Sequence, residues 1–109
     1  MARGVARGEV WLYTFAAPDK RRPVLVISRQ DAIDVLDTVM VAPITSTRHG
    51  LPSEVDLDAS DGLKTACAAN LDHVHTVRKR DLKRFVTSLR PERLMAVCHA
   101  LAAATGCGS

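Results

Sequence analysis

Two apolar runs decide the fold of this chain: Arg21-Arg22-Pro23-Val24-Leu25-Val26-Ile27-Ser28, and Val39-Met40-Val41-Ala42-Pro43-Ile44-Thr45-Ser46-Thr47. Short, continuous runs rich in valine, isoleucine and leucine are typical of strands that are buried on both faces. Polar side chains stand at their ends, because arginines precede the first run and threonine and serine close the second. We therefore predict two strands, at 23–28 and 37–46, that bring a guanidinium and hydroxyl groups together on one sheet.

The remaining segments predict a mainly antiparallel sheet around these two strands. Alternating or β-branched stretches indicate further strands at residues 9–15, 53–58, 64–71, 73–77 and 85–88. Turns are predicted where proline and glycine cluster, including residues 16–20. Residues 30–36 fit either one helical turn or a loop, and residues 79–84 fit a brief helical turn before the last strand.

A C-terminal α-helix is predicted over residues 91–105. Pro91 suits a first helical turn, and Gly106 stands where a C-terminal cap is expected. Between them, apolar residues recur at helical spacing and form one stripe, which predicts core or dimer packing; they are Leu94, Val97, Cys98, Leu101 and Ala104.

Length and composition bound the class of protein. A chain of 109 residues predicts a single domain over 1–109. The aromatic fraction of 4% argues against modules that stack several bases on a sheet, whereas a net charge of +3 favours a polyanionic partner. Three widely spaced cysteines give neither a zinc motif nor a disulfide framework. With no signal-peptide or membrane-spanning pattern, we expect a cytoplasmic protein without a metal or other cofactor.

Basic residues cluster in three places, at Arg3 and Arg7, at residues 20–22 and at residues 78–84. The last cluster holds five cations in seven residues, and it fits either phosphate contacts or a solvated face. The arginines before the first apolar run and the hydroxyls after the second form a pair that can handle a phosphate without a metal ion. This pair predicts a protein that acts on RNA.

The ordered set of motifs resembles the MazF/PemK family of toxin endoribonucleases. It consists of Arg7-Gly8-Glu9-Val10-Trp11, Arg22-Pro23-Val24-Leu25-Val26 and Pro43-Ile44-Thr45-Ser46, within about residues 7–77. The resemblance implies a small SH3-like or CcdB-type barrel that works as a homodimer. It implies metal-independent cleavage of single-stranded RNA by the 2′-hydroxyl, which leaves a 2′,3′-cyclic phosphate and a 5′-hydroxyl. It also implies a MazE-like antitoxin partner.

The same resemblance assigns the catalytic roles to Arg22, immediately before the proline of the second strand, and to Thr45, at the end of the third. Residues predicted to contact RNA lie beside this pair or in the matching segment at residues 70–73; they are Lys20, Arg21, Ser46, Arg48, His49, Asp72 and His73. The loop at residues 16–21 is shorter than is usual in the family, so the cleavage sequence cannot be transferred from relatives.

Three alternatives stay open on the sequence. His49 fits a proton-transfer role, because histidine titrates near neutral pH. A CcdB-like, non-catalytic inhibitor of DNA gyrase shares the fold family, although the C-terminal tail lacks an aromatic anchor. A non-catalytic RNA-binding barrel is the third reading.

Overall fold

The computed structural model describes residues 4–14 and 21–108. In these ranges the chain forms seven strands, which are β1 (Glu9–Thr14), β2 (Arg21–Val26), β3 (Thr38–Thr45), β4 (Glu54–Leu57), β5 (Cys67–Asn70), β6 (His75–Arg78) and β7 (Leu82–Ser88). It also forms the helices α1 (Gln30–Val35) and α2 (Pro91–Thr105), and 3-10 turns at Ala59–Asp61, Leu71–His73 and Lys79–Asp81. No described helix has both the length and the apolar character needed to cross a membrane.

The sheet is antiparallel and is organised around β3. Its strand order is β4-β5-β3-β2-β1-β7, and β6 pairs with β3 as well. One edge of β3 pairs with β2, while the other edge pairs with β6 over Thr38–Val41 and then with β5 over Ile44–Thr45. At the end of β3, Thr45 pairs with Ala68 of β5, so the backbone of this strand end is held by the sheet.

Alternating side chains of β2 and β3 belong to two separate hydrophobic clusters, one on each face of the sheet. One face carries Leu25, Ala42 and Ile44, which pack in a cluster with Val97 and Ala100 of α2. The other face buries a cluster made of Trp11, Val24, Val26, Ile33, Val39, Val41, Val77 and Leu82. Burial on both faces explains why the two strands read as continuous apolar runs rather than as alternating ones.

The predicted mainly β architecture with one C-terminal helix is confirmed, with differences at the boundaries. The second strand spans Arg21–Val26 rather than 23–28, since Pro23 is its third residue, opposite Leu12, and not its first. The segment predicted as a strand over 64–71 pairs only from Cys67 to Asn70. The ambiguous segment after the second strand is helical over Gln30–Val35. The predicted turn at 16–20 lies outside the described residues.

Helix α2 has the predicted limits and the predicted cap, since Gly106 adopts a left-handed conformation. Val97 lies in the core, with Leu94, Leu101 and Ala104 packed against it. Cys98, which the stripe predicted to be apolar packing, is instead exposed, and Arg7 Nη2 donates to its Sγ at 3.2 Å. The buried stripe is therefore narrower than the spacing suggested.

We expect Gly62→Ala to lower the free energy of unfolding by about 2–4 kcal/mol. Gly62 follows the turn at Ala59–Asp61 with a φ of +94°, where an L side chain is strained. An added Cβ would also lie 2.7 Å from Thr87 Cβ. Urea unfolding monitored by Trp11 fluorescence measures the change.

The matched control for this substitution is Gly106→Ala. Gly106 has a φ of +73°, and no atom of the described chain outside its own neighbourhood lies within 4 Å of an added Cβ. Its replacement isolates the conformational cost, about 1–2 kcal/mol. Equal losses for the two variants would show that the contact with Thr87 does not contribute.

Candidate active site

Arg22 of β2 and Thr45 of β3 each lie two residues beyond the Val24–Pro43 pair that joins the two strands. Val24 pairs with Pro43, and the same antiparallel register continued by two residues brings Arg22 level with Thr45. Residues that stand opposite each other project from the same face of a sheet, so the two side chains share one face. Arg22 is exposed and Thr45 is half-buried. This end of β2 and β3 therefore presents a guanidinium and a hydroxyl to solvent from a rigid support.

Two aromatic rings lie on the same face as this pair. Tyr13 is paired with Arg22 across β1 and β2. His75 is paired with Val41, whose side chain projects from the same face as that of Thr45. The rings of Tyr13 and His75 meet edge to face, with centroids 6.2 Å apart, because the curled sheet brings β1 and β6 towards each other. The sequence interpretation treated His75 as an ordinary strand residue and did not single out Tyr13.

The hydroxyl of Thr45 has a defined orientation. Its Oγ1 accepts a hydrogen bond from the backbone N–H of Thr47 at 3.2 Å, in a tight turn at the end of β3. With a lone pair used in this way, the hydroxyl hydrogen is available to donate to a bound group. Ser46, the next residue, is exposed and begins the loop between β3 and β4.

Arg48 and His49 lie exposed in this loop. The positive charge of Arg48 is one of the influences on the thiol of Cys67 in β5. Burial raises the pKa of the Cys67 thiol, the negative charge of Asp61 raises it further, and Arg48 opposes both effects. The backbone N–H of His49 donates to Glu54 Oε1 at 2.9 Å, so the loop is tied to the first residue of β4.

Asp72 and His73 form part of the exposed turn at Leu71–His73. The turn lies where β3 changes partners, between the Val41–His75 pair and the Ile44–Ala69 pair, rather than beside Thr45. Asp72 Oδ2 accepts a short hydrogen bond from the hydroxyl of buried Ser53. This carboxylate therefore has a structural role in joining the turn to the start of β4.

Arg21 and Lys20 complete the set of residues predicted from the sequence. Arg21 is the first residue of β2, exposed and paired with Thr14. Alternation along the strand directs its side chain to the face opposite that of Arg22. Lys20 lies outside the described residues.

A cavity of about 520 Å³ lies beside the end of β3, and Thr45 and Ser46 form part of its lining. Pro23 and Ile44 line it, and these residues project from the face opposite that of Arg22 and Thr45. Arg84, from the basic run at residues 78–84, also lines it, as do two polar residues that the sequence interpretation missed, Lys64 and Thr65. Only the folded chain shows that these residues lie beside Thr45, because they come from separate segments of the sequence.

The basic run at residues 78–84 is divided by the fold. Arg78, Lys79 and Arg80 line a second cavity of about 540 Å³ together with Asp37 and Thr38, at the beginning of β3 and thus at the opposite end from Thr45. Lys79 Nζ donates to the backbone carbonyl of Ile33 at 2.6 Å, so this cation helps to hold α1 against the sheet. Arg84, in contrast, lines the cavity next to Thr45.

The described ranges contain no cluster of three or more histidine, cysteine, aspartate or glutamate side chains that could hold a metal ion. What the face offers is a fixed cation, an oriented hydroxyl, a phenol and an imidazole. A planar guanidinium binds two phosphate oxygens at once, and a hydroxyl can donate to a third oxygen. The chemistry that this arrangement suits best is stabilisation of charge on a phosphodiester.

Comparisons with known proteins point to one family. The family profile described as PemK-like, MazF-like toxin of type II toxin–antitoxin system matches residues 6–105. The chain is 40% identical over 102 residues to the probable endoribonuclease MazF2 of Mycobacterium tuberculosis, an alignment that covers 93% of this chain and 98% of that protein.

Solved structures of similar proteins point to the same family. The Mycobacterium tuberculosis toxin MazF-mt6 superimposes with a TM-score of 0.83 at 31% identity, over 93% of this chain and 99% of that one. An endoribonuclease solved in complex with its cognate antitoxin, from a mycobacterial species, gives a TM-score of 0.83 at 25% identity, over 94% of this chain and 95% of that one.

Proposed function

The chain belongs to the PemK-like, MazF-like family of type II toxins, whose relatives are named endoribonucleases, and from this premise we propose that it cleaves single-stranded RNA at specific sequences without a metal ion. The observation that supports the proposal is the pairing of Val24 with Pro43, because the same register continued by two residues would bring Arg22 and Thr45 together on one face. RNA supplies its own nucleophile, the 2′-hydroxyl, so the protein needs to position the phosphodiester and stabilise the charge that develops on it.

The reaction forms one bond and breaks one bond at phosphorus. The 2′-oxygen attacks and loses its proton, the bond to the 5′-oxygen breaks, and that oxygen gains a proton. The products are a 2′,3′-cyclic phosphate and a 5′-hydroxyl. Arg22 binds the non-bridging oxygens, and its charge stabilises the transition state at any relevant pH. Thr45 donates its hydroxyl hydrogen to the phosphate.

Proton transfer requires a group that titrates near neutral pH, which Arg22 and Thr45 do not. Imidazole is the side chain suited to this task. His75 lies on the face of Arg22 and Thr45, beside Tyr13. His49 lies in the loop after Thr45, and its backbone is tied to Glu54. We assign the transfer to His75, because it shares the face of Arg22 and Thr45, whereas His49 stands in the loop beyond that face.

Mapping the ends of cleaved RNA tests the proposal. A long RNA of mixed sequence is incubated with the purified chain in a chelator, and the new ends are sequenced. We expect cuts at one recurring short sequence, with 5′-hydroxyl ends that a polynucleotide kinase labels directly. Intact RNA, or ends that carry 5′-phosphates, would contradict the proposed reaction. Intact RNA together with arrested DNA gyrase would favour the CcdB-like alternative.

We further propose that the chain forms a homodimer and binds a MazE-like antitoxin. Support comes from the mycobacterial relative that was solved with its cognate antitoxin, with a TM-score of 0.83 to this chain. An antitoxin that covers the face of Arg22 and Thr45 would block access of RNA to that pair. Co-expression with the antitoxin is therefore expected to suppress RNA cleavage.

A further inference from the structure

Glu54 closes the loop that follows the candidate site. Its Oε1 accepts hydrogen bonds from the backbone N–H groups of His49, Gly50 and Leu51, at 2.9, 2.9 and 3.4 Å. Glu54 is the first residue of β4, so one carboxylate oxygen joins the middle of the loop to the sheet. The loop begins at Ser46, directly after Thr45.

Three consecutive amides that point at one oxygen form an anion-binding concavity of the backbone. The chain can adopt it here because Gly50 has a φ of +70°. Three hydrogen bonds to one carboxylate oxygen hold this arc of the loop against the sheet. Arg48 directly precedes the first of the three amides, and its backbone is therefore fixed as well.

The second oxygen of Glu54 indicates more than a role in stability. Glu54 Oε2 is buried and, within the described part of the chain, accepts no hydrogen bond. A buried acceptor without a donor costs free energy, and such groups in folded proteins call for an explanation beyond packing. Holding the loop that carries Arg48 supplies one.

We propose that Glu54 is a positioning residue: its carboxylate fixes the loop at residues 46–51 so that Arg48 meets a phosphate of the bound RNA. The inference rests on the proposed ribonuclease function. Fixing the arginine before RNA arrives reduces the entropy lost on binding. Since Arg22 and Thr45 stand on strands and not in the loop, Glu54 is expected to act on substrate binding rather than on the chemical step.

A double-mutant cycle tests this coupling. The parent chain, Glu54→Ala, Arg48→Ala and the double variant are assayed with a short RNA oligonucleotide that contains the mapped cleavage sequence. Each single substitution is expected to raise KM about tenfold and to change kcat by less than about threefold, since binding and not chemistry is lost. The double variant is expected to have the KM of Arg48→Ala alone, because Glu54 acts through Arg48.

Two further variants separate positioning from stability. Glu54→Gln keeps an acceptor oxygen for the three amides and is expected to recover most of the affinity. Asp56→Asn removes an exposed carboxylate from the same strand and is expected to leave KM and kcat at the parental values. Free energies of unfolding from urea titrations show whether any variant loses activity through its fold.

The outcomes are distinct. If KM increases multiply in the double variant, or if Glu54→Ala lowers kcat while KM is unchanged, Glu54 does not act through Arg48 and the positioning role is overturned. If the parent chain cleaves RNA and Glu54→Ala has the same KM and kcat, the positioning role of Glu54 fails while the proposed ribonuclease function stands. If the parent chain cleaves no RNA, the proposed function fails and the positioning role fails with it.

Discussion

Alanine at position 22 is expected to reduce the rate of RNA cleavage by about 10²–10³-fold while leaving the fold intact. Loss of one preorganised donor to a developing oxyanion typically costs this much, and Arg22 provides both a charge and a fork of donors. The side chain is exposed at the end of β2, so its removal is expected to change the free energy of unfolding by less than about 0.5 kcal/mol. Single-turnover cleavage of an RNA oligonucleotide measures the rate.

The substitution Arg22→Lys separates the contribution of the positive charge from that of the planar guanidinium geometry. An ammonium keeps the positive charge but cannot bind two phosphate oxygens in one plane, so Arg22→Lys is expected to recover only about tenfold over Arg22→Ala. Arg29→Ala is the matched control, because Arg29 is exposed and forms an ion pair with Asp31 at 2.8 Å, at the start of α1. If Arg22→Ala cleaved RNA at the parental rate, Arg22 would not be a catalytic residue.

The two central strands could be predicted because their signal is local. β2 and β3 are buried on both faces, and continuous apolar runs follow directly from that burial. The start of β2 was wrong because Arg21 and Arg22 carry exposed, charged side chains, yet their backbones pair with Thr14 and Tyr13. Ladder hydrogen bonds do not depend on side-chain polarity, so an exposed strand end leaves little trace in the sequence.

The site was predictable only in part, for a related reason. The positions of Arg22 and Thr45 followed from the ends of two apolar runs and from the family resemblance. The contact between Tyr13 and His75 joins segments more than sixty residues apart, and it depends on the curl of the whole sheet. No periodicity within either strand encodes that curl, so the sequence interpretation left His75 as an ordinary strand residue.

The loop that follows Thr45 could also be predicted only in part from the sequence, although its contacts are close along the chain. Arg48 and His49 could be identified as candidates from their position after the threonine and serine cluster. The role of Glu54 depends on three backbone amides that converge on one oxygen, and the sequence does not specify that conformation beyond the single glycine at position 50. The hydrogen bond of Asp72 with Ser53 likewise could not be predicted from the sequence, and the contact of Asp72 with RNA stays a prediction.

Removing the hydroxyl at position 45 is expected to be the second most damaging change to activity. Thr45→Val keeps the size and branching of the side chain but can donate no hydrogen bond to the phosphate, and it is expected to lower kcat by about 10²-fold. Thr45→Ser keeps the hydroxyl and its turn with Thr47, and it is expected to stay within about tenfold of the parent. Single-turnover rates and urea unfolding are compared for both variants.

The contrast between serine and valine decides what Thr45 does. Serine loses the methyl group from a half-buried strand end, whereas valine keeps the shape but removes the donor and leaves the N–H of Thr47 without its acceptor. If the two variants lose the same activity, packing around β3 matters and the hydroxyl does not. If only valine is slow at saturating RNA, the hydroxyl acts in the transition state, because a group that served ground-state binding alone would raise KM and spare kcat.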